Sequence, residues 1–165
     1  MLLDLHEMIN IPGGRVPFAY EPDFSGLTFD SVKAVQPGAK VTGCVENHAG
    51  MLVLSAELDA QLDCVCARCL QEFVRPVHQQ IEAVLAADCE RTDDPDIFPL
   101  DGDYIDVDEV VTTAFVLNMD QKLLCREDCK GLCEKCGKNL NEGPCACKAE
   151  IDPRLAVLGQ LLEKE

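Results

Sequence analysis

Leu58-Asp59-Ala60-Gln61-Leu62-Asp63-Cys64 sets an apolar side chain at every second position, with acids and an amide between. A period of two sends alternate side chains to opposite faces, so the stretch reads as a half-buried β-strand. Working backwards, Met51 to Ser55 and Val41 to Glu46 read as hairpin partners around the turn Asn47-His48-Ala49-Gly50. Working forwards, Phe73, Val77, Ile81, Ala83 and Leu85 fall on one face of a strand running from about Phe73 to Leu85, and Pro76 points to an edge position. The first forty residues, broken by Pro12-Gly13-Gly14, Pro17, Pro22 and Pro37-Gly38, predict short strands and turns with little helix.

Beyond the strands lies an acidic stretch, expected to be a long mobile connection over 88–105 and carrying Pro95, Pro99 and Gly102. Asp106 is a good helix N-cap with Glu109 three residues on. Val107, Val110, Val111, Ala114 and Leu117 then recur at helical spacing and are expected to face the sheet. At the end of the chain, Asp152-Pro153 and the stripe Leu155, Leu158, Leu161, Leu162 predict a short final helix.

The chain of 165 residues carries 30 acids against 14 bases, a formal net charge of -16. That sign argues against a general nucleic-acid coat, because phosphate binding runs on Lys and Arg. Between Asp88 and Glu109 lie ten acids and the single base Arg91, whereas Lys122 to Lys148 holds six bases and four acids. An anionic partner is therefore expected at the tail and a basic one at the acidic belt, unless the belt is only a solvated loop. No apolar run approaches the ~20 residues of a membrane span, and Met1-Leu2-Leu3-Asp4-Leu5-His6-Glu7 lacks the cationic start of a secretory signal. A cytoplasmic protein is expected.

In that compartment thiols stay reduced, so 11 cysteines at short spacings point to metal rather than disulfides. Gly131-Leu132-Cys133-Glu134-Lys135-Cys136-Gly137 has the form of a zinc-ribbon knuckle, and Cys145-Ala146-Cys147 supplies a second close pair. Four thiolates at ~2.3 Å make a closed structural zinc site. Cys66-Ala67-Arg68-Cys69 and Cys125-x3-Cys129 can form another four-thiolate site that ties the sheet to the tail. The spacing equally allows a site using only some of these, or Cys125 or Cys129 joining the first cluster. Two zinc ions, or at least one, are expected. Cys44, Cys64 and Cys89 remain as ordinary thiols.

Competing chemistries are weaker. A thioredoxin-type pair wants a βαβ context and a helix start, and a hydrolytic zinc wants an open position, commonly with histidine. His6, His48 and His78 stand far from the cysteines in sequence. An iron–sulfur cluster takes the same four cysteines, so ligand count leaves it open. No catalytic constellation is evident, and a non-enzyme is expected. The architecture expected is α+β: an antiparallel sheet or partly open barrel, one packed helix, and a zinc-knuckle tail ending in a short helix. Its division is a sheet domain over 1–122 and a cysteine-rich tail over 123–165.

Cys66-Ala67-Arg68-Cys69-Leu70 with Phe73 resembles the C-x-R-C-L signature of the YceD-like family, the large ribosomal RNA subunit accumulation proteins. The tail from Cys125 through Cys129, Cys133, Cys136-Gly137, Asn139-Leu140-Asn141 and Cys145-Ala146-Cys147 is similar to that family's cysteine-rich end, as is Asp152-Pro153-Arg154-Leu155 to its closing helix. The resemblance implies a bacterial cytoplasmic factor for accumulation of large-subunit ribosomal RNA or ribosome assembly. It carries over to Cys66, Arg68, Cys69, Cys125, Cys129, Cys133, Cys136, Cys145 and Cys147. Arg68 can donate to metal-bound thiolates, contact an RNA phosphate, or form a surface salt bridge. Three functions follow: an assembly factor touching ribosomal RNA through the tail, an acidic adaptor for a basic ribosomal protein, and an iron–sulfur or thiol redox protein.

Overall fold

The computed structural model describes residues 1–27, 29–86 and 97–147. The alternating stretch lies in the middle of β5 (Met51–Val65), which runs unbroken for 15 residues where the sequence suggested two segments. Its even-numbered side chains from Leu52 to Cys64 are buried and its odd-numbered ones face outward. β6 (Glu72–Ala86) lies antiparallel to it with Leu54 opposite Ala83 and Cys64 opposite Phe73, so the odd-numbered side chains of β6 share the buried face. On the other side β4 (Lys40–His48) closes a hairpin with β5 through Ala49 and Gly50, both at positive φ. Two positive φ values match the right-handed twist of a two-residue hairpin. Asn47 is buried beneath this turn, accepting from the Gly50 amide and donating to the Met8 and Ile9 carbonyls.

β2 (Arg15–Tyr20) pairs with β4, and β3 (Val32–Val35) with the far end of β5. The described part of the acidic stretch expected as a loop over 88–105 contains regular structure. Ile97–Pro99 is a strand, β7, and Tyr104–Asp106 is another, β8, which pairs with β1 (Leu2–Asp4) in a separate two-stranded ribbon. Asp101 and Asp103 flank the bend between β7 and β8, so the acids there sit in a turn while Ile97, Phe98 and Ile105 are drawn inward. β7 runs parallel to β6, which makes the main sheet mixed rather than purely antiparallel. The order is β2-β4-β5-β6-β7, an open sheet rather than a closed barrel. Residues 148–165, with the expected final helix, lie outside the described residues, as do 87–96.

Helix α1 (Val107–Leu117) is capped by Asp106, whose carboxylate accepts from the Asp108 amide. Val107, Val110 and Val111 are buried as expected, but Leu117 is 61% exposed and Phe115 fills the core instead. At ~100° per residue the two positions flank the valine stripe almost symmetrically. Phe24, stacked at 4.7 Å, and Phe29, edge-on at 5.9 Å, receive the Phe115 ring and settle the choice. Such aromatic pairs contribute about 0.5–1.5 kcal/mol each beyond area. Among the described residues no helix is long and apolar enough to cross a membrane.

Candidate metal centres

The chain leaves β5 through Cys66, turns, and re-enters at β6. Leu70 donates its amide to the Cys66 carbonyl at 3.0 Å, and Cys66 donates to Gln71 at 2.9 Å. The tail repeats this pattern: Gly137 donates to the Cys133 carbonyl at 2.8 Å and Cys133 to Lys138 at 2.9 Å. Both are Cys-x2-Cys knuckles closed by a residue in the left-handed region, Gly137 at φ 69 and Leu70 at φ 58. Glycine adopts that conformation freely and leucine does not. Only one of the two knuckles therefore announces itself by a glycine.

The structure brings the eight cysteines into two groups. Cys66, Cys69, Cys125 and Cys129 form one and Cys133, Cys136, Cys145 and Cys147 the other, with the sulfurs of each group all within 4.8 Å of one another. In the first, Cys66 and Cys129 lie 3.7 Å apart, as do Cys69 and Cys125. In the second, Cys133 and Cys145 are 3.4 Å apart. A tetrahedron with ~2.3 Å metal–sulfur bonds has edges of about 3.8 Å, so both groups fit a tetrahedral thiolate-bound ion with small adjustments. A covalent disulfide needs ~2.05 Å, and the ten described cysteines are free thiols.

Main-chain amides prepare each group for anionic sulfur. At Cys66 burial raises the thiol, but amides of Cys125, Cys69 and Arg68 outweigh it and hold the group down to about 6. At Cys133 the amides of Cys136 and Lys135 do the same, again to about 6. The neighbours move the other way: Cys125, through burial and then its bonds to Cys69 and Cys66, is pushed up to about 12. Cys147 reaches about 12 chiefly through its bond to Cys136. Crowded thiolates repel, and a shared divalent cation is what allows all four to ionise.

The first tetrad is nearly sealed, with Cys66, Cys69 and Cys129 buried, while in the second Cys136 and Cys147 are exposed. The first also joins the β5–β6 tip to a tail segment that is 56 to 63 residues away in sequence. Arg68 braces that junction. Its guanidinium donates to the Cys129 carbonyl at 2.9 Å, and its own carbonyl accepts from Leu132 at 3.1 Å. The contact thus runs through main chain rather than to a thiolate.

Two residues without an assigned role in the sequence reading join the tetrads. Asn141 donates to the Cys129 sulfur at 3.3 Å and accepts from the Lys130 amide at 2.8 Å, tying the tip of the second group to the first. Gly131, buried at φ 74, lies so close to Arg68 that a Cβ would stand 3.1 Å from its carbonyl oxygen. A lone Asn or Gly in a cysteine-rich stretch gives no local signal of either task. His6, His48 and His78 pair with Asp103, Glu46 and Asp59 respectively and join neither group. Cys64 is buried in the main core and Cys44 lies beside Arg15 and Glu46, while Cys89 lies outside the described residues.

A sheet whose hairpin tip and tail share paired Cys-x2-Cys knuckles defines a cysteine-rich α+β protein suited to holding metal in its tail. The chain belongs to the YceD family, described as large ribosomal RNA subunit accumulation protein YceD, whose family model matches residues 54–162. It is 27% identical over 175 aligned positions to uncharacterized proteins of Mycobacterium bovis and Mycobacterium tuberculosis, covering 99% of this chain and 76% of each relative. It is also 35% identical over 68 residues to the chloroplastic large ribosomal RNA subunit accumulation protein YCED homolog 1 of Arabidopsis thaliana, which is 41% of this chain and 21% of that protein. No solved structure matches the chain.

Proposed function

We propose that this chain is a non-enzymatic, zinc-binding factor of the bacterial cytoplasm that supports accumulation of large-subunit ribosomal RNA during ribosome assembly. The observation that carries the reading is the pair of four-sulfur groups at tetrahedral spacing within a member of a family described by that role. Cys66, Cys69, Cys125 and Cys129 would hold one ion, and Cys133, Cys136, Cys145 and Cys147 the other. A closed thiolate site supplies structural cross-linking and leaves no position for substrate. In the tail, where few side chains between Cys129 and Cys147 are buried, such a cross-link takes the place of a hydrophobic core.

With both ions bound, each tetrad carries two net negative charges. That offsets the lysines and arginine of the tail, so a purely electrostatic hold on RNA phosphate by the tail is weak. Together with the formal charge of -16, this favours the adaptor form of the role, in which the factor holds a basic ribosomal protein.

The test is metal per chain together with rescue. In a strain lacking the protein, the intact chain is expected to restore large-subunit ribosomal RNA and to purify colourless with two zinc ions. Cys136→Ser is expected to lose one ion and Cys44→Ser none. Iron with visible absorbance would replace this reading with a redox one, and equal metal loss in the two variants would refute the ligand assignment.

A further inference from the structure

One of the two 15-residue strands, β6, has a margin left unpaired among the described residues. β7 covers β6 only at Val84 to Ala86, and from Glu72 to Ala83 the outer side of β6 has no strand beside it among the described residues. Leu100 donates to the Ala86 carbonyl at 3.0 Å, which shows that the main-chain groups of even-numbered β6 residues face the β7 side. Because these directions alternate along a strand, the N–H and C=O groups of His78, Gln80 and Glu82 point outward at the open edge. Pro76 has the same parity, and its missing N–H therefore leaves the ladder to β5 undisturbed.

Two chemistries flank that edge. On the buried side, an open groove of about 410 Å³ lies between β6 and the end of α1, with Ile81, Ala83, Phe98, Ala114 and Leu117 as its apolar lining and Gln80, Glu82 and Asn118 as its polar margin. On the outward side stand Glu82 and, one strand in, Glu57 and Asp59. Glu57 and Glu82 have no ion-pair partner among the described residues, and Asp59 pairs only with His78. An extended segment laid along this part of β6 would send alternate side chains toward the groove and toward these acids.

We propose that the His78–Glu82 edge of β6 receives an extended segment of a partner protein in which apolar residues alternate with Lys or Arg, added as a further strand. A second copy of this chain fits poorly, since it would bring the same acids against one another at a net charge of -16 each. The inference rests on the reading of the chain as an adaptor and names where the basic partner docks. Main-chain pairing gives affinity, and the two faces give selectivity.

The test uses the full-length chain and a capped decapeptide of alternating valine and lysine, followed by anisotropy and residue-resolved amide exchange. In the free protein the amides of His78, Gln80 and Glu82 are expected to exchange fast while those of Gln79 and Ile81 are protected, and the peptide is expected to protect the first set. N-methylating alternate peptide amides keeps charge and side chains, and should weaken binding at least about tenfold. Gln80→Pro, which copies the tolerated geometry of Pro76, should do likewise with metal content unchanged. Equal binding of the N-methylated peptide, protection of all three amides before peptide is added, or an RNA oligonucleotide protecting them in its place would overturn the proposal. Loss of the edge alone would leave ribosomal RNA rescue by the metal-loaded chain as a separate result.

Discussion

Replacing Gly131 by alanine should loosen the first tetrad far more than the matching change at Gly137 loosens the second. Both glycines have positive φ, 74 and 69 respectively. An L-residue held there loses about 1–2 kcal/mol, of which alanine recovers about 0.5–1 because glycine forfeits more freedom on folding. The backbone term is therefore about 1 kcal/mol at either position. The surroundings differ. At Gly137 a new Cβ meets nothing within 4 Å, whereas at Gly131 it stands 3.1 Å from the Arg68 carbonyl. That oxygen cannot retreat freely, because Leu132 already binds it at 3.1 Å. Stretching this bond costs about 0.5–1.5 kcal/mol.

The sum is about 2 kcal/mol at Gly131 and about 1 kcal/mol at Gly137, or roughly 30-fold and 5-fold in metal affinity when ordering and binding are coupled. The assay is competition with a chromophoric zinc chelator in two full-length backgrounds. Cys133→Ser with Cys136→Ser leaves the first tetrad, and Cys66→Ser with Cys69→Ser leaves the second. If Gly131→Ala weakens its tetrad no more than Gly137→Ala weakens the other, the packing of the tail against Arg68 is not what shapes the site.

Three further outcomes are expected. Chelation should abolish amide protection from Cys125 to Cys147 while β4 to β6, anchored by Val41, Leu54, Leu58 and Phe115 in the main core, stay protected; full protection of the tail after metal removal would contradict this. Leu70→Gly should stabilise the chain modestly, by up to about 1 kcal/mol, since Leu70 sits at φ 58 with 64% of its surface exposed; a lower unfolding midpoint in denaturant would show that its side chain is held by something else. Asp59, by hydrogen bond and then by charge, raises the pKa of His78. The pairing therefore favours the folded state below the ordinary histidine value of ~6.5, and its contribution is lost as pH climbs through the raised one. An NMR titration should place His78 above ~6.5 and Asp59→Asn should lower it, whereas an unmoved midpoint would dissolve the pair.

Sequence alone determined whatever depends on near neighbours. Alternation from Leu58 to Cys64 and the odd-numbered apolar face from Phe73 to Leu85 specify which side of each strand is buried, because side-chain direction repeats every two residues whatever the strand pairs with. Asp106 declares a helix start because the cap bond closes within two residues. The Cys133 knuckle is legible for the same reason, its two thiols and closing glycine lying within five positions.

Tertiary structure decided what depends on distant groups meeting. The division of eight thiols into two groups turns on Cys125 and Cys129 reaching back 56 to 63 residues, and local spacing allowed several partitions. Leu70 in a glycine's conformation was invisible, since only the surrounding turn over-rides leucine's preference. Phe115 displaced Leu117 because Phe24 and Phe29 arrived on one flank of the helix. The parallel placement of β7, and the margin of β6 left unpaired among the described residues, follow from which strand lies beside which, and a strand's own sequence records its faces far better than its neighbours.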